Sequence, residues 1–380
     1  MICLECSCAT RSGGWTTKRR SSSSGRSFWP RRPAGTGMRF GLFLLFEWSG
    51  PGRAFDAMYG DLLEEVAFAE EQGLETVWLA EHHFVSYSAC PQPLMFAIKA
   101  ASQTRRVRFG TGVLVLPFYH PLRLAGEIAV ADVLTGGRLE IGVGRGAYPY
   151  EFARYDLPFD EGRARTQECL EIMLRAWRED DVAHVGRFYQ FPAATVLPRP
   201  LQRPHPPIWI AALNPESFTY AIGHGHRLLS TVFRDPVDKV AEKVDLYRRT
   251  LKEAGKTEAD SDLGLLRIAY VAETDAAARE ALPHVTKTHR TWHHLHFGSE
   301  SVRGGVVSSD PVEHEPSPEE AWERLIIGGP ERCIRQIQAL EAVGVDLLLM
   351  NMNFGNMTHP EAMRSLRLFG REVLPAFTSR

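Results

Sequence analysis

The run Glu81-His82-His83-Phe84 places two imidazoles beside a carboxylate, directly after the predicted strand 76–80. Histidine is the usual general base near neutral pH, and a neighbouring carboxylate can fix its tautomer. A surface turn or half of a metal site could use the same residues, but no partner stands at the spacing of an H-E-x-x-H site. On these residues alone, catalysis and a structural role both remain open.

A glycine-rich run, 142–148, begins at the end of the predicted strand 139–143 and contains Arg145. Glycines let a ligand approach the backbone, and an arginine can hold a phosphate through two hydrogen bonds. The run is not a dinucleotide-binding fingerprint, because the third glycine is missing and Tyr148-Pro149 is not expected to open a helix. Phosphate binding is favoured over a tight turn with a surface arginine.

A third candidate is the segment Leu213-Asn214-Pro215, which follows the predicted strand 208–212. Proline suits the first helical position and asparagine the cap before it. The free N–H groups of a helix start can bind an anion. Since every capped helix has this pattern, the signal is weak by itself.

Two groups of residues resemble metal sites in part. His289 and His293 have i, i+4 spacing, but no carboxylate accompanies them, which favours a partly solvated helix. Cys3, Cys6 and Cys8 lack a fourth ligand and a second cluster. The sequence therefore predicts no metal site.

Strands and helices alternate regularly from Met38 onward. The predicted strands are 40–46, 76–80, 107–116, 139–143, 208–212, 228–229, 263–271 and 345–350. The predicted helices are 56–72, one opening at Pro93, one from Pro121 that ends at Gly136-Gly137, 161–177, 215–222, 236–254, one from about Asp275, 330–343 and one from about Pro360. This alternation is typical of parallel βα units.

The predicted fold is an α/β (β/α)₈ TIM barrel. An open doubly wound sheet would alternate similarly, but the strand number and the polar residues that follow several strands favour the closed barrel. Residues 298–320, rich in Gly, Ser, Pro and acidic side chains, are predicted to form a mobile insertion loop over the active site, with disorder as the alternative.

Composition limits the function classes. The chain has 380 residues, 44% of them hydrophobic, and a net charge of −2, so no global field favours nucleic acid or an acidic membrane as a partner. No apolar run is long enough to span a bilayer. Scattered single cysteines suit a cytoplasmic location.

Residues 1–37 differ from the rest, with seven basic residues against one acidic residue and a run of four serines. A twin-arginine signal at Arg19-Arg20 is the functional alternative, but no apolar stretch follows it. We expect a disordered basic extension followed by a single barrel domain, 38–380.

Several segments together resemble the luciferase-like flavin-dependent monooxygenases, particularly the α subunit of bacterial luciferase. The matching runs are FGLFLL at 40–45, TVWLAEHHF at 76–84, GTGVLVLP at 110–117 with His120-Pro121, GGR at 136–138 leading to Arg145-Gly146, and GPERCI at 329–334. The likeness covers nearly all of residues 38–377, in the order of the family.

The resemblance implies that reduced FMN binds at the barrel mouth and reacts with O₂ to oxygenate a small organic substrate such as an aldehyde. It implies that a flavin reductase supplies the reduced FMN and that the chain forms a homodimer. His82 would be catalytic, with His83 and Glu81 beside it. The expected cofactor contacts are Arg145 with the amides of Leu213 and Asn214 at the phosphate, the non-proline cis peptide Gly112-Val113 beneath the flavin ring, and Phe43 and Tyr148 lining the pocket.

The sequence departs from luciferase in ways that put light emission in doubt. Gly144 stands where luciferase carries a reactive cysteine, Leu213 replaces an acidic residue, and Thr231 or Val232 replaces an aromatic one. Two alternatives stay open: a deazaflavin-dependent oxidoreductase on the same barrel, and a non-catalytic flavin-binding subunit. The presence of His82 and Arg145 favours an active enzyme over the latter.

Overall fold

The computed structural model describes residues 38–298 and 301–378. The predicted extension at 1–37 therefore lies outside the described residues, as do residues 299–300 of the predicted insertion loop. No helix within the described ranges combines the length and the apolar character that a bilayer span requires.

Eight parallel strands close into a barrel in which each strand pairs with its sequence neighbours and the last pairs with the first. The fold class predicted from the sequence is confirmed, and the eight predicted strands correspond to the eight strands of the barrel. They are β1 Arg39–Leu44, β2 Thr76–Leu79, β3 Arg108–Thr111, β4 Leu139–Gly144, β5 Ile208–Ala211, β6 Arg227–Thr231, β7 Leu263–Val271 and β8 Leu347–Asn351.

Most of the helices cover the outside of the barrel and pack an apolar face against the strands, whereas the helix Leu282–Phe297 contributes to a cavity at the carboxyl end of the barrel. The helices are α1 Phe55–Gln72, α2 Pro93–Ala101, α3 Pro121–Leu134, α4 Pro149–Arg154, α5 Gly162–Ala176, α6 Pro215–Gly223, α7 Val237–Glu253, α8 Asp275–Ala278, α9 Leu282–Phe297, α10 Pro318–Arg324, α11 Pro330–Ala342, α12 His359–Leu368 and α13 Pro375–Thr378. Many of them have proline at the first or second position. The first N–H groups of a helix have no partner within the helix, so proline, which lacks an N–H, loses no hydrogen bond there.

Two local predictions were wrong. Residues 107–116 do not form one strand: β3 ends at Thr111, and a separate short strand follows at Leu114–Val115. The Thr111 hydroxyl donates to the carbonyl oxygen of Gly142 at 2.8 Å and accepts from its N–H at 2.9 Å, so a side chain replaces the backbone ladder here. Pro149 does open a helix, α4, because Tyr148 is extended and proline fits the first helical turn.

The long segment between β7 and β8 contains small elements that the sequence pattern did not predict. An antiparallel hairpin pairs Val302–Arg303 with Val306–Val307, and Ile326–Gly328 pairs in parallel with the end of β7. The hairpin contacts the loop after β2, where the Ser86 N–H donates to Gly305 at 2.7 Å. The mobility of this segment stays a prediction. A second hairpin, Val182–Val185 with Gln190–Ala194, lies between α5 and β5.

The amino-terminal half of the barrel interior contains a buried acid, Glu140 on β4. Its carboxylate accepts hydrogen bonds from the Nε of Arg108 at 2.7 Å, the Nε1 of Trp209 at 2.8 Å and an Nη of Arg227 at 3.2 Å. The Trp209 ring in turn packs edge to face against Trp78, with their centroids 5.1 Å apart. One carboxylate thus neutralises cations from two other strands inside the barrel.

Glu140→Gln is expected to lower the free energy of unfolding by about 3 kcal/mol, because it removes the buried negative charge that faces Arg108, while Arg227 keeps its ion pair with Asp262 at 3.0 Å. Urea denaturation followed by circular dichroism measures the change. The control is Glu127→Gln, which removes an exposed i, i+4 pair with Arg123 on α3 and should cost at most about 1 kcal/mol. Equal losses for the two variants would contradict the expectation.

Candidate active site

A cavity of about 370 Å³ lies at the carboxyl end of the barrel, where the loops that follow the strands meet. The residues that line it are mainly apolar and aromatic, a composition typical of small-molecule sites. Contributions come from the ends of many strands and from α9: Phe43, Leu45, Ala80, His82, Tyr87, Gly112, Val113, Ala147, Tyr148, Ala211, Leu213, Thr231, Phe233, Arg234, Thr288, His289, Trp292 and His296.

His82 is the histidine of the Glu81-His82-His83 run that reaches this cavity. Its Nδ1 lies 3.2 Å from Oε1 of Glu151, and its side chain is 17% exposed. Because a carboxylate accepts hydrogen bonds, Nδ1 is the donor in this contact. Within the described residues Nε2 makes no hydrogen bond, so this atom is available to accept or hold a proton.

Glu151 is the orienting carboxylate, and sequence reasoning missed it. It lies in the first turn of α4 and is completely buried, with Oε1 also accepting the N–H of His83 at 2.7 Å. Its Oε2 has no hydrogen-bond partner among the described residues. Recognising that Pro149 opens a helix would have drawn attention to this acid, since it follows two residues later.

Glu81 and His83 form a separate network and do not line the cavity. The Nε2 of His83 lies 2.8 Å from Oε1 of Glu81, and its Nδ1 lies 2.8 Å from the Tyr155 hydroxyl. Glu81 also accepts from the Tyr119 hydroxyl at 2.9 Å, and burial raises the pKa of its carboxyl. Both ring nitrogens of His83 are therefore occupied, which favours a role in holding the loop. A catalytic role for these two residues remains an untested prediction.

Two tyrosines border His82. Tyr148 is buried, and its ring centroid lies 5.1 Å from that of His82 and 6.0 Å from that of Tyr87. The ring of Tyr87 lies 5.3 Å from His82, and burial raises the pKa of both phenols. Both therefore remain neutral and can serve as hydrogen-bond donors or acceptors near Nε2.

Phe43, Gly112 and Val113 form one wall of the cavity, and the peptide between Gly112 and Val113 is cis, as the resemblance predicts. A Cβ on Gly112 would lie 2.8 Å from Cε2 of Phe43, and one on Gly144 would lie 2.7 Å from Cγ2 of Val113. Glycine at both positions thus leaves an apolar surface on which a planar ring can lie.

Arg145 comes two residues before Ala147, which lines the cavity, and Leu213 lines the cavity just before α6. The Arg145 guanidinium packs over the Phe159 ring, 5.1 Å from its centroid, and has no hydrogen bond or ion pair within residues 38–298 and 301–378. Leu213 is 66% exposed. The Asn214 side chain caps α6, and its N–H donates to the Ser217 hydroxyl at 3.2 Å, so only the Leu213 amide of this pair is free for a ligand.

No described group of three or more His, Cys, Asp or Glu side chains has an arrangement that could hold a metal ion. His289 and His293 lie on α9, as expected, with ring centroids 6.1 Å apart. Cys3, Cys6 and Cys8 lie outside the described residues. Cys90, Cys169 and Cys333 are buried and free, and burial raises the pKa of each thiol to about 12.

Comparison with known proteins agrees with this geometry. The family described as luciferase-like monooxygenase matches residues 38–347. The chain is 30% identical over 348 residues to the oxygenase component of the flavin-dependent trigonelline monooxygenase of Acinetobacter baylyi, covering 90% of this chain and 96% of that protein.

Solved structures show the same architecture. The monooxygenase RslO1 from Streptomyces bottropensis superposes with a TM-score of 0.78 at 31% identity, covering 89% of this chain and 99% of that one. A coenzyme F420-dependent tetrahydromethanopterin reductase from Methanopyrus kandleri gives a TM-score of 0.68 at 20% identity, covering 90% and 99% of the two chains. The second likeness shows only that the fold is shared.

Proposed function

This chain belongs to the luciferase-like monooxygenase family, and from that premise we propose that it is an oxygenase that uses reduced FMN and O₂ to oxygenate a small organic substrate such as an aldehyde. The observation that carries the proposal is His82, which lines the cavity while Glu151 holds its Nδ1. A histidine held in this way can move a proton to or from a reacting group.

The cavity and residues close to it in the sequence fit FMN. Phe43, Gly112 and Val113 offer an apolar surface for the ring, and Arg145 offers a cation without a protein partner in the described chain. The free amide of Leu213 at the start of α6 adds a donor for a phosphate. When bound, reduced FMN would supply the two electrons that reduce O₂, so that one oxygen atom enters the substrate and the other leaves as water.

The protein would provide orientation, exclusion of water and a proton-transfer group. The apolar side chains around His82 lower the local polarity and strengthen every electrostatic contact within the cavity. Tyr87 and Tyr148 stay neutral and can hold a polar group of the substrate near Nε2. Gly144 leaves the cavity without a thiol at the position where luciferase has one, so we propose oxygenation without light emission.

One experiment separates this proposal from its rivals. Purified protein is assayed with a flavin reductase, NAD(P)H, FMN and a series of small organic substrates that includes both aldehydes and carboxylates, and in parallel with reduced deazaflavin. We expect FMN-dependent and O₂-dependent product formation. Deazaflavin turnover without binding of reduced FMN would identify the hydride-transferring alternative, and flavin binding without any turnover would identify a non-catalytic subunit.

Arg145→Ala is expected to raise the Kd for FMN roughly 10- to 100-fold, because a charge-assisted bond to phosphate contributes about 1.5–3 kcal/mol. Riboflavin, which lacks the phosphate, should bind wild type and variant alike. Fluorescence titration of both flavins measures this, with Arg123→Ala on α3 as a control for loss of an exposed positive charge. An equal loss of riboflavin and FMN binding would count against a phosphate contact.

We also propose a reductase as the partner that supplies reduced FMN, and a homodimer as the assembly. Exposed apolar side chains on the adjacent helices α2 and α3 support the second proposal: Met95, Val130, Val133 and Leu134. Such a surface is typical of a protein interface. Sedimentation of the purified chain at several concentrations tests it, and a monomer throughout would overturn it.

A further inference from the structure

The cavity contains a cation that no described group neutralises. Arg234, on the loop between β6 and α7, lines the cavity, and its Nη1 is buried without a hydrogen-bond partner. Its guanidinium lies 5.9 Å from the centroid of the Trp292 ring on α9. A buried guanidinium N–H without an acceptor is costly, so its retention in a ligand cavity points to an acceptor that arrives with the ligand.

Another arginine, Arg267, holds the loop that carries Arg234 through hydrogen bonds to its backbone. Arg267 on β7 donates to the carbonyl oxygens of Val232 at 2.9 Å and Asp235 at 2.7 Å, and also to that of Arg324. Burial lowers the pKa of Arg267 to about 10. These bonds hold the residues on both sides of Arg234, so its position is built into the fold before any ligand binds.

A second unpartnered donor lies beside Arg234. His289 on α9 lines the cavity, and its buried Nδ1 has no hydrogen-bond partner in the described chain. Burial, followed by the charge of Arg234, lowers the pKa of His289 to about 4, so the imidazole is neutral. A neutral imidazole can still present one N–H to an anion that Arg234 attracts.

The acidic residues near Arg234 do not neutralise its guanidinium. Arg324 adds a further positive charge, while Asp235 and Glu320 oppose it without forming an ion pair to its guanidinium. Asp235 faces Lys243 at 3.9 Å, and Glu320 binds Arg324 at 3.0 Å. The nearest acids thus have other partners, and this part of the cavity stays electropositive.

The aromatic side chains near Arg234 and His289 favour a ligand whose uncharged part is a flat ring. Trp292, Phe233 and Tyr87 present aromatic rings next to Arg234 and His289. A cavity of about 370 Å³ that must also accept a flavin ring leaves room for a small, flat molecule.

We propose that the substrate is a small aromatic carboxylate, with its carboxylate bound by Arg234 and His289 and its ring against Trp292. The proposal rests on the proposed function, since it names the substrate class of the same site. It narrows that function away from simple aldehydes, which carry no charge for Arg234 to bind.

Calorimetric titration tests it, with benzoate, nicotinate and 2-naphthoate as probes and the matching amides as uncharged partners. Wild-type protein should bind at least one carboxylate at least about 10-fold more tightly than its amide, and Arg234→Gln should raise the Kd of that carboxylate roughly 10- to 100-fold. The amides and FMN should bind the variant as they bind wild type. Arg249→Gln, an exposed change on α7, is the control and should alter neither.

Equal affinity of wild type for carboxylates and amides would overturn the proposal, as would the absence of binding by every probe. A loss of FMN binding in Arg234→Gln with carboxylate binding intact would overturn it too, because it would assign Arg234 to the flavin. Oxidation of reduced FMN by O₂ in the protein without substrate is measured separately by stopped flow. If that reaction proceeds while the carboxylates fail, only the substrate class is wrong.

Discussion

His82→Ala is expected to lower the turnover number roughly 10²- to 10⁴-fold, the usual contribution of a positioned general acid or base. The reason is the geometry of its two nitrogens. Glu151 holds Nδ1 at 3.2 Å, and His82 lines the cavity with its Nε2 free of any hydrogen bond in the described chain. Among the described residues, His82 is the one histidine that both lines the cavity and lies within hydrogen-bond distance of a carboxylate.

The measurement is steady-state turnover with the best substrate of the aldehyde and aromatic carboxylate series, together with a fluorescence titration of FMN. The Kd for FMN should stay nearly unchanged, since the predicted cofactor contacts lie elsewhere. His224→Ala, at the exposed carboxyl end of α6, controls for the loss of a histidine. Full turnover by His82→Ala would remove it from the mechanism.

Much of the fold could be predicted because barrel strands are buried on both faces. β1 and β4 are buried along their whole length, and such runs stand out as continuous apolar sequence. The hairpin at 182–194 was missed because it is mostly exposed, with Val185 at 81% exposure, so its pattern resembles a loop. The strand Ile326–Gly328 has three residues, too few to show any period.

The site was predicted only in part, because some of its residues can be recognised from their neighbours in the sequence and others only from the packing of the fold. His82 directly follows β2, and the carboxyl end of a barrel strand is where active sites lie. Glu151 is 69 positions further along the chain, and only the packing of α4 brings its carboxylate to the imidazole. The sequence also did not show that His82 lines the cavity while His83 belongs to a separate hydrogen-bond network, since adjacent residues of a loop can have different surroundings.

Arg234 illustrates a different limit. Its sequence context, a lone arginine before Asp235 and Pro236, is that of an ordinary surface loop. Arg234 is a candidate for ligand binding because its buried Nη1 has no hydrogen-bond acceptor among the described residues. Missing partners are a property of three-dimensional packing, and no periodicity or motif in one sequence records them.

Glu151→Ala is expected to lower the turnover number about 100-fold or more and leave the KM for substrate nearly unchanged. In a Ser–His–Asp triad, disabling the carboxylate that fixes the histidine tautomer costs about 10⁴-fold, and Glu151 has the same relation to His82. The change also leaves the N–H of His83 without its acceptor, which should cost roughly 1–3 kcal/mol of stability.

Glu151→Gln separates the catalytic role from the structural one. Its Oε1 can accept the same two hydrogen bonds without a negative charge, so the fold and most of the stability should be restored. If Glu151 acts only by holding the loop, glutamine should rescue turnover and stability together. If it orients and stabilises the proton on Nδ1 of His82, stability should recover while turnover stays well below wild type. Urea denaturation and steady-state kinetics on the same preparations distinguish the two, and complete rescue by glutamine would reduce Glu151 to a structural residue.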